Sequence, residues 1–272
     1  MPHLMINGVK QEFETFGDLH NPPLILIFGG ATNPQTWRVW NYKNSIERLA
    51  EENYVIAFDH RGHGQSHFPQ DSTLEDVAKD VIGLMDALCI EKANVMGLSA
   101  GTYVLGCLAG IAPERLNSMV LIVPHSHTSG GSPATHLMKS LGIDSATATP
   151  EQIASISRIG FSPNTPDSVV DEYNTYSASL SHFPALPVED SIAAYKSIAN
   201  FDNRETYKNL KKPVLVMSGE HDRYCPPEYG RAIAEAVDGG RYVLFENCGH
   251  MLFFEKNEEA VECIKDFLRS VN

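Results

Sequence analysis

Cysteine is scarce and shows no pairing pattern: Cys89, Cys107, Cys225, Cys248 and Cys263 stand far apart, with no C-x-x-C among them. An odd, scattered set argues against a disulfide framework and against a thiolate metal site, and reads as core thiols. Long apolar runs are also missing, so no segment reaches the length needed to cross a bilayer. Met1-Pro2-His3-Leu4 lacks the basic stretch followed by an apolar one that a secretory signal requires, and a cytoplasmic protein is expected. Basic residues are outnumbered, 21 Lys and Arg against 34 Asp and Glu, and the formal net charge of −13 repels phosphate backbones and anionic membranes. Nucleic acid is therefore not an expected partner. Neither G-x-x-x-x-G-K-[ST] nor G-x-G-x-x-G occurs, so no nucleotide is implied. The histidines include no H-E-x-x-H, and their best local cluster, His125-Ser126-His127, has no carboxylate at a suitable spacing. No metal or other cofactor is expected.

What is present is the alternation of an α/β protein. Leu24–Phe28 is a short continuous apolar run stopped by Gly29-Gly30, the pattern of a strand buried on both faces. Tyr54–Phe58, Ala93–Met96, Met119–Val123, Pro213–Met217 and Arg241–Phe245 repeat it. Helices are predicted between them: from about Gln35 to Ala50, behind a Ser72/Glu75 capping box, over Thr102–Ile111, near Glu228–Val237, and over a final stretch with Val261, Ile264 and Leu268 on one face. Such alternation calls for right-handed crossovers and a mainly parallel, twisted sheet with helices on both faces. At 272 residues the chain can bury one large core and carry an insertion. From His125 to Arg204 strand-like runs vanish, and Ile153–Ile159, Val169–Ala178 and Ile192–Ile198 read as short helices. The expected organisation is a core of 1–124 and 205–272 with a helical cap over 125–204.

Chemistry is concentrated after the strands. Gly97-Leu98-Ser99-Ala100-Gly101 is a G-x-S-x-G at a strand-to-helix junction, where a strained turn lifts a hydroxyl clear of the sheet and only small residues fit two positions either side. The same serine could instead be a plain helix N-cap. A serine nucleophile needs a base in hydrogen-bond reach and a third group to orient that base. His250, in Asn247-Cys248-Gly249-His250, and Asp222, in Gly219-Glu220-His221-Asp222, each follow a predicted strand. In a parallel sheet such positions converge on one rim.

These motifs, together with Phe58-Asp59-His60-Arg61-Gly62-His63-Gly64-Gln65-Ser66, resemble the α/β-hydrolase superfamily, in particular its small capped esterase, lactonase and C–C hydrolase branch. The resemblance implies a sheet of about eight strands, a triad of Ser99, Asp222 and His250, and an oxyanion hole. One oxyanion donor would be the Ala100 N–H; the other is carried over to Gly30, with Ala31 as the neighbour to which it could shift. Two positions depart from the family pattern. Phe28 replaces the usual His before the glycines, and Thr102-Tyr103 follow Gly101 where Gly-Gly is common, so that Tyr103 could crowd or floor the site.

Other assignments can be weighed on the same residues. Pro124 and His125 leave no carboxylate after the Met119–Val123 strand, which favours Asp222 as the acid, with Glu220 as a spare. His125 and His127 suit a hinge or pocket wall, and Asp59 and Arg61 are expected to pair and hold their loop. Phe161, Tyr173, Tyr176 and Phe183 either line a pocket or form the cap's own core, packing being favoured by their helical spacing. The expected activity is hydrolysis of a small to medium carboxylic ester or lactone through an acyl-enzyme on Ser99, by a monomer or homodimer. C–C bond hydrolysis, perhydrolysis or lyase chemistry on the same triad is the rival reaction. A slow-turnover, ligand-binding signalling protein is the rival of another class.

Overall fold

The chain opens with a hairpin the sequence reading passed over. In the computed structural model, which describes residues 2–29, 36–131, 133–143, 158–180 and 187–272, β1 (His3–Ile6) pairs antiparallel with β2 (Val9–Phe16). The turn is Asn7-Gly8, both residues at positive φ, +48° and +80°, the conformation that a two-residue hairpin turn demands. Six further strands follow: β3 (Pro23–Ile27), β4 (Tyr54–Phe58), β5 (Ala93–Leu98), β6 (Leu116–Ile122), β7 (Val214–Gly219) and β8 (Arg241–Phe245). They form one sheet in the order β1-β2-β4-β3-β5-β6-β7-β8. β2 runs antiparallel to β4, and every pair from β4 to β8 is parallel.

Successive side chains of a strand face opposite sides, and here both sides are buried. Ile25, Ile27, Val95, Met119, Leu121, Val214 and Val216 belong to one apolar cluster. It is completed by Val77, Val81 and Leu84 of α2 (Leu74–Ala87), Leu105 and Leu108 of α3 (Gly101–Ile111) and Ile233 of α8 (Pro227–Ala236). Leu24, Leu26, Met96, Val120, Ile122, Leu215 and Met217 point the other way. They meet Ile46 and Leu49 of α1 (Ser45–Ala50) and Val261, Ile264 and Leu268 of α10 (Asn257–Val271).

Three local expectations need correction. The predicted Gln35–Ala50 helix is broken: two short 3₁₀ turns, Thr36–Trp40 and Tyr42–Asn44, precede α1, and Lys43 and Asn44 sit at positive φ, +53° and +55°. Gln35 itself lies outside the described residues. The capping box of α2 is shifted by one, Thr73 with Asp76, because Ser72 Oγ is taken up accepting from Arg61 Nη1 at 2.8 Å. Arg61 does not pair with Asp59. It forms a buried two-pronged bond to Asp80, at 2.7 and 2.8 Å, while Asp59 lies 3.7 Å from Arg38.

Between β6 and β7 the chain makes a long helical excursion: α4 (Pro133–Ser140), α5 (Asp167–Ser179), α6 (Val188–Ser197) and α7 (Arg204–Asn209). Its two stems pair at the base, with Asn203 N–H donating to Ser126 O at 2.9 Å and Thr128 N–H to Phe201 O at 2.9 Å. The helix predicted at Ile153–Ile159 falls mostly outside the described residues, and Phe183 lies outside them too. Phe161, Tyr173 and Tyr176 pack with Val170, Tyr42 and Phe254, so their cluster is shared with residues outside the excursion and is not a core of the excursion's own. Among the described residues no helix is long and apolar enough to cross a membrane.

Candidate active site

The turn at the end of β5 is forced by close packing. Ser99 sits at φ +49°, strained for a residue with a side chain. Its glycine flanks are sterically required, since a Cβ on Gly101 would lie 2.2 Å from Ile27 O and one on Gly97 would lie 2.9 Å from Gly101 O. Two bonds close the turn onto the Ser99 carbonyl, from the Thr102 N–H at 2.9 Å and the Thr102 hydroxyl at 2.6 Å. The departure at Thr102 therefore has a structural use. Tyr103 is buried at 2% exposure and stacks on Phe201 with ring centroids 4.2 Å apart, packing beneath the site. Burial and the adjacent Cys225 push its phenol pKa well up.

Two loops bring the remaining groups to this turn. After β7, Asp222 closes a turn onto Gly219 O, and its Oδ1 accepts the N–H groups of Tyr224 and Cys225, each at 2.8 Å. After β8, His250 lies with Nδ1 2.8 Å from Asp222 Oδ2 and Nε2 3.0 Å from Ser99 Oγ. A carboxylate only accepts, so Nδ1 carries the proton and Nε2 is left to accept from the serine hydroxyl. The Asp222 side chain is fully buried and that of His250 is 12% exposed. The three residues named from the sequence thus form one continuous hydrogen-bonded chain.

Glu220 faces elsewhere: its Oε2 accepts the Asn247 N–H at 2.8 Å, tying the two loops together. Ala100 follows Ser99 at the head of α3, and no described residue accepts from its N–H. Gly30 and Ala31 lie outside the described residues. The preceding Gly29 is tightly packed, since a Cβ there would come within 2.8 Å of the Ser99 Cβ. Where Phe28 leaves no side-chain donor, His63 reaches from the loop after β4 and places Nε2 3.2 Å from Gly29 O. His63 packs against His60 with ring centroids 3.9 Å apart and planes tilted by 48°, and burial lowers both pKa values, that of His63 well below the ordinary one.

His125 and His127 stand at the base of the helical excursion. His125 is stacked on Tyr229 at 3.7 Å, and burial, with His127 adding to it, lowers its pKa to about 4. Among the described residues one group could geometrically hold a cation, Asp222, Cys225 and His250. It fits a metal poorly, because its carboxylate and imidazole are committed to each other and burial raises the Cys225 thiol pKa well above normal, disfavouring the thiolate that ligation needs.

Sequence reasoning passed over Glu255, whose Oε2 accepts the Gly249 N–H at 2.8 Å beside the histidine. It also missed the Thr102 hydroxyl and the His63 anchor. None of them lies in a pattern that announces its role in a single sequence.

Comparison with known proteins agrees with this architecture. The family model for the α/β hydrolase fold matches residues 22–257. A proline iminopeptidase of Lactobacillus crispatus is 28% identical, covering 90% of this chain and 89% of its own. The AB hydrolase superfamily protein YfhM of Bacillus subtilis is 26% identical over 97% of this chain and 96% of its own. Among solved structures, the enol-lactonase of Burkholderia xenovorans LB400 superimposes with a TM-score of 0.79 at 26% identity, covering 98% of this chain and all of that one.

Proposed function

Because the chain belongs to the α/β-hydrolase fold family, we propose that it is a serine hydrolase cleaving a small to medium carboxylic ester or lactone through an acyl-enzyme on Ser99. The observation that carries this is the Asp222–His250–Ser99 chain, with links of 2.8 and 3.0 Å. Ser99 Oγ forms a bond to the carbonyl carbon while its proton passes to His250 Nε2. Negative charge then develops on the carbonyl oxygen, opposite the Ala100 N–H and, by family resemblance, the Gly30 N–H. A backbone donor so placed lowers the barrier by roughly 3 kcal/mol. Collapse breaks the bond to the leaving oxygen, which takes the proton back from Nε2. Water then repeats the sequence on the acyl-enzyme with His250 as base. Asp222 accepts from Nδ1 throughout and holds the imidazole in its Nδ1–H form.

The paired stems at 126–128 and 201–203 support reading 125–204 as a cap inserted into a core of 1–124 and 205–272. The likeness to an enol-lactonase at 26% identity supports an ester or lactone substrate. The relative named as a proline iminopeptidase makes a prolyl anilide the natural amide control.

A fluorophosphonate probe followed by peptide mass spectrometry is expected to place one adduct on Ser99, and none in Ser99→Ala. A folded protein that takes up no probe would refute the proposal. A panel of nitrophenyl esters, lactones, a diketone and prolyl nitroanilide then identifies the bond class, with esters or lactones expected to turn over fastest.

A further inference from the structure

The loop carrying His250 is held by a carboxylate that the hydrolytic mechanism does not use. Glu255, the last residue of the short helix α9 (Leu252–Glu255), turns back toward the loop it follows. Its Oε2 accepts the Gly249 N–H at 2.8 Å, immediately before His250. Its Oε1 accepts the Ser162 N–H at 2.8 Å, and also the Thr165 hydroxyl. One carboxylate thus joins the base-bearing loop to residues 162–165, the turn that leads into α5.

Three other contacts bolt the same two segments together. The Met251 N–H donates to Gly160 O at 3.0 Å on the far side of His250, and Asn164 Nδ2 donates to Asn247 Oδ1 at 2.7 Å. Gly249 packs so closely against the turn that a Cβ would lie 2.6 Å from Gly160 O. The turn is itself braced by Arg158, which donates to Ser162 O at 2.8 Å and Thr165 O at 3.0 Å. Beyond it, α5 is anchored through Tyr173 and Tyr176 packing on Tyr42 and Phe254.

Resting on the serine-hydrolase reading, we propose that Glu255 is a positioning residue: it clamps the His250 loop to the 162–165 turn, so that the placement of this turn sets the aim of the imidazole. The physical basis is directional. The Gly249 N–H, 2.8 Å from Oε2, has a bond direction fixed by a planar peptide, and His250 is the next residue along the chain. Loss of the acceptor lets the Gly249–His250 peptide turn within the slack that the Met251 and Asn164 contacts leave, and His250 Nε2 shifts from its 3.0 Å contact with Ser99 Oγ. Misplacement of a reacting group by about 1 Å costs about a hundredfold in rate.

Glu255→Ala removes both acceptors and is expected to lower kcat on 4-nitrophenyl butyrate about a hundredfold with KM within about twofold. Glu255→Gln keeps one acceptor oxygen and turns an NH₂ toward an N–H donor, with an expected loss of about tenfold. The milder Thr165→Val, which removes one donor to Oε1 and keeps the shape of the side chain, is expected to lower kcat by about threefold. In each variant the downfield proton resonance of His250 Nδ1–H should shift or broaden, a change that loss of stability alone does not produce in the folded population. If Glu255→Ala does not fold, the other two variants decide. A kcat within about twofold of the parent in the folded variants, or a drop accompanied by an unmoved Nδ1–H resonance, would overturn the proposal. Probe labelling of the parent at Ser99 tests the underlying reading separately: a silent parent sinks the hydrolase assignment, whereas a labelled parent with unaffected variants sinks only the role of Glu255.

Discussion

Replacing Asp222 by Asn changes one atom and leaves the shape of the side chain intact. In the parent, Oδ1 accepts two backbone N–H groups, from Tyr224 and Cys225, and Oδ2 accepts from His250 Nδ1. An amide has one acceptor and one donor end. Two fixed N–H donors at 2.8 Å require the oxygen, so the NH₂ must face His250. The imidazole can then meet it only with an unprotonated Nδ1, which moves the ring proton to Nε2, opposite Ser99 Oγ. The base no longer has a lone pair for the serine proton. The expected loss in kcat is about 10⁴-fold, or about 5 kcal/mol of barrier. Stability should fall by only about 1 to 2 kcal/mol, because every hydrogen bond is kept and only its charge assistance is lost. The assay is steady-state hydrolysis of a nitrophenyl ester beside urea unfolding of the same preparation. A well-folded Asp222→Asn enzyme within about tenfold of the parent would refute the tautomer argument and the assignment of Asp222 as the orienting group.

Acid should destabilise the fold through buried histidine. His125, lowered to about 4 in the folded state, stays neutral while the unfolded chain takes up a proton near pH 6.5. Its penalty is therefore absent above pH 6.5, about 2 kcal/mol at pH 5, and fully developed below pH 4. His125→Phe keeps the stack on Tyr229 without a titrating group, and the difference in unfolding free energy between pH 7.5 and pH 5 should shrink by about that amount; an unchanged difference would exclude His125 as its source. Gly101→Ala places a Cβ 2.2 Å from Ile27 O, a backbone atom that cannot step aside. It is expected to cost at least about 3 kcal/mol and to abolish probe labelling at Ser99, and a near-native thermal melt would contradict the close approach of α3 to β3.

The sequence by itself determined the alternation of buried strands and amphipathic helices, because a strand covered on both faces must be apolar at every position and a helix on a sheet only along one stripe. Leu24–Phe28 and Val214–Met217 were legible for that reason. The G-x-S-x-G turn was legible too, since its glycines answer to contacts of 2.2 and 2.9 Å that no other residue tolerates. Asp222 and His250 could be singled out as candidates because each follows a strand and strand ends share a rim, and the family resemblance of their motifs made them the expected triad partners of Ser99.

Hydrogen-bond geometry between distant segments was decided only by the tertiary structure. Arg61 chose Asp80 over its near neighbour Asp59, and Thr73 displaced Ser72 as the cap. Lys43 and Asn44 broke a stretch that looked helical. His63 became the partner of Gly29, and Glu255 the partner of Gly249. In each case the outcome depends on which donor and acceptor the packing of separate elements leaves within about 3 Å of each other. Residue order constrains that choice weakly, because several polar side chains nearby in the chain could satisfy the same group.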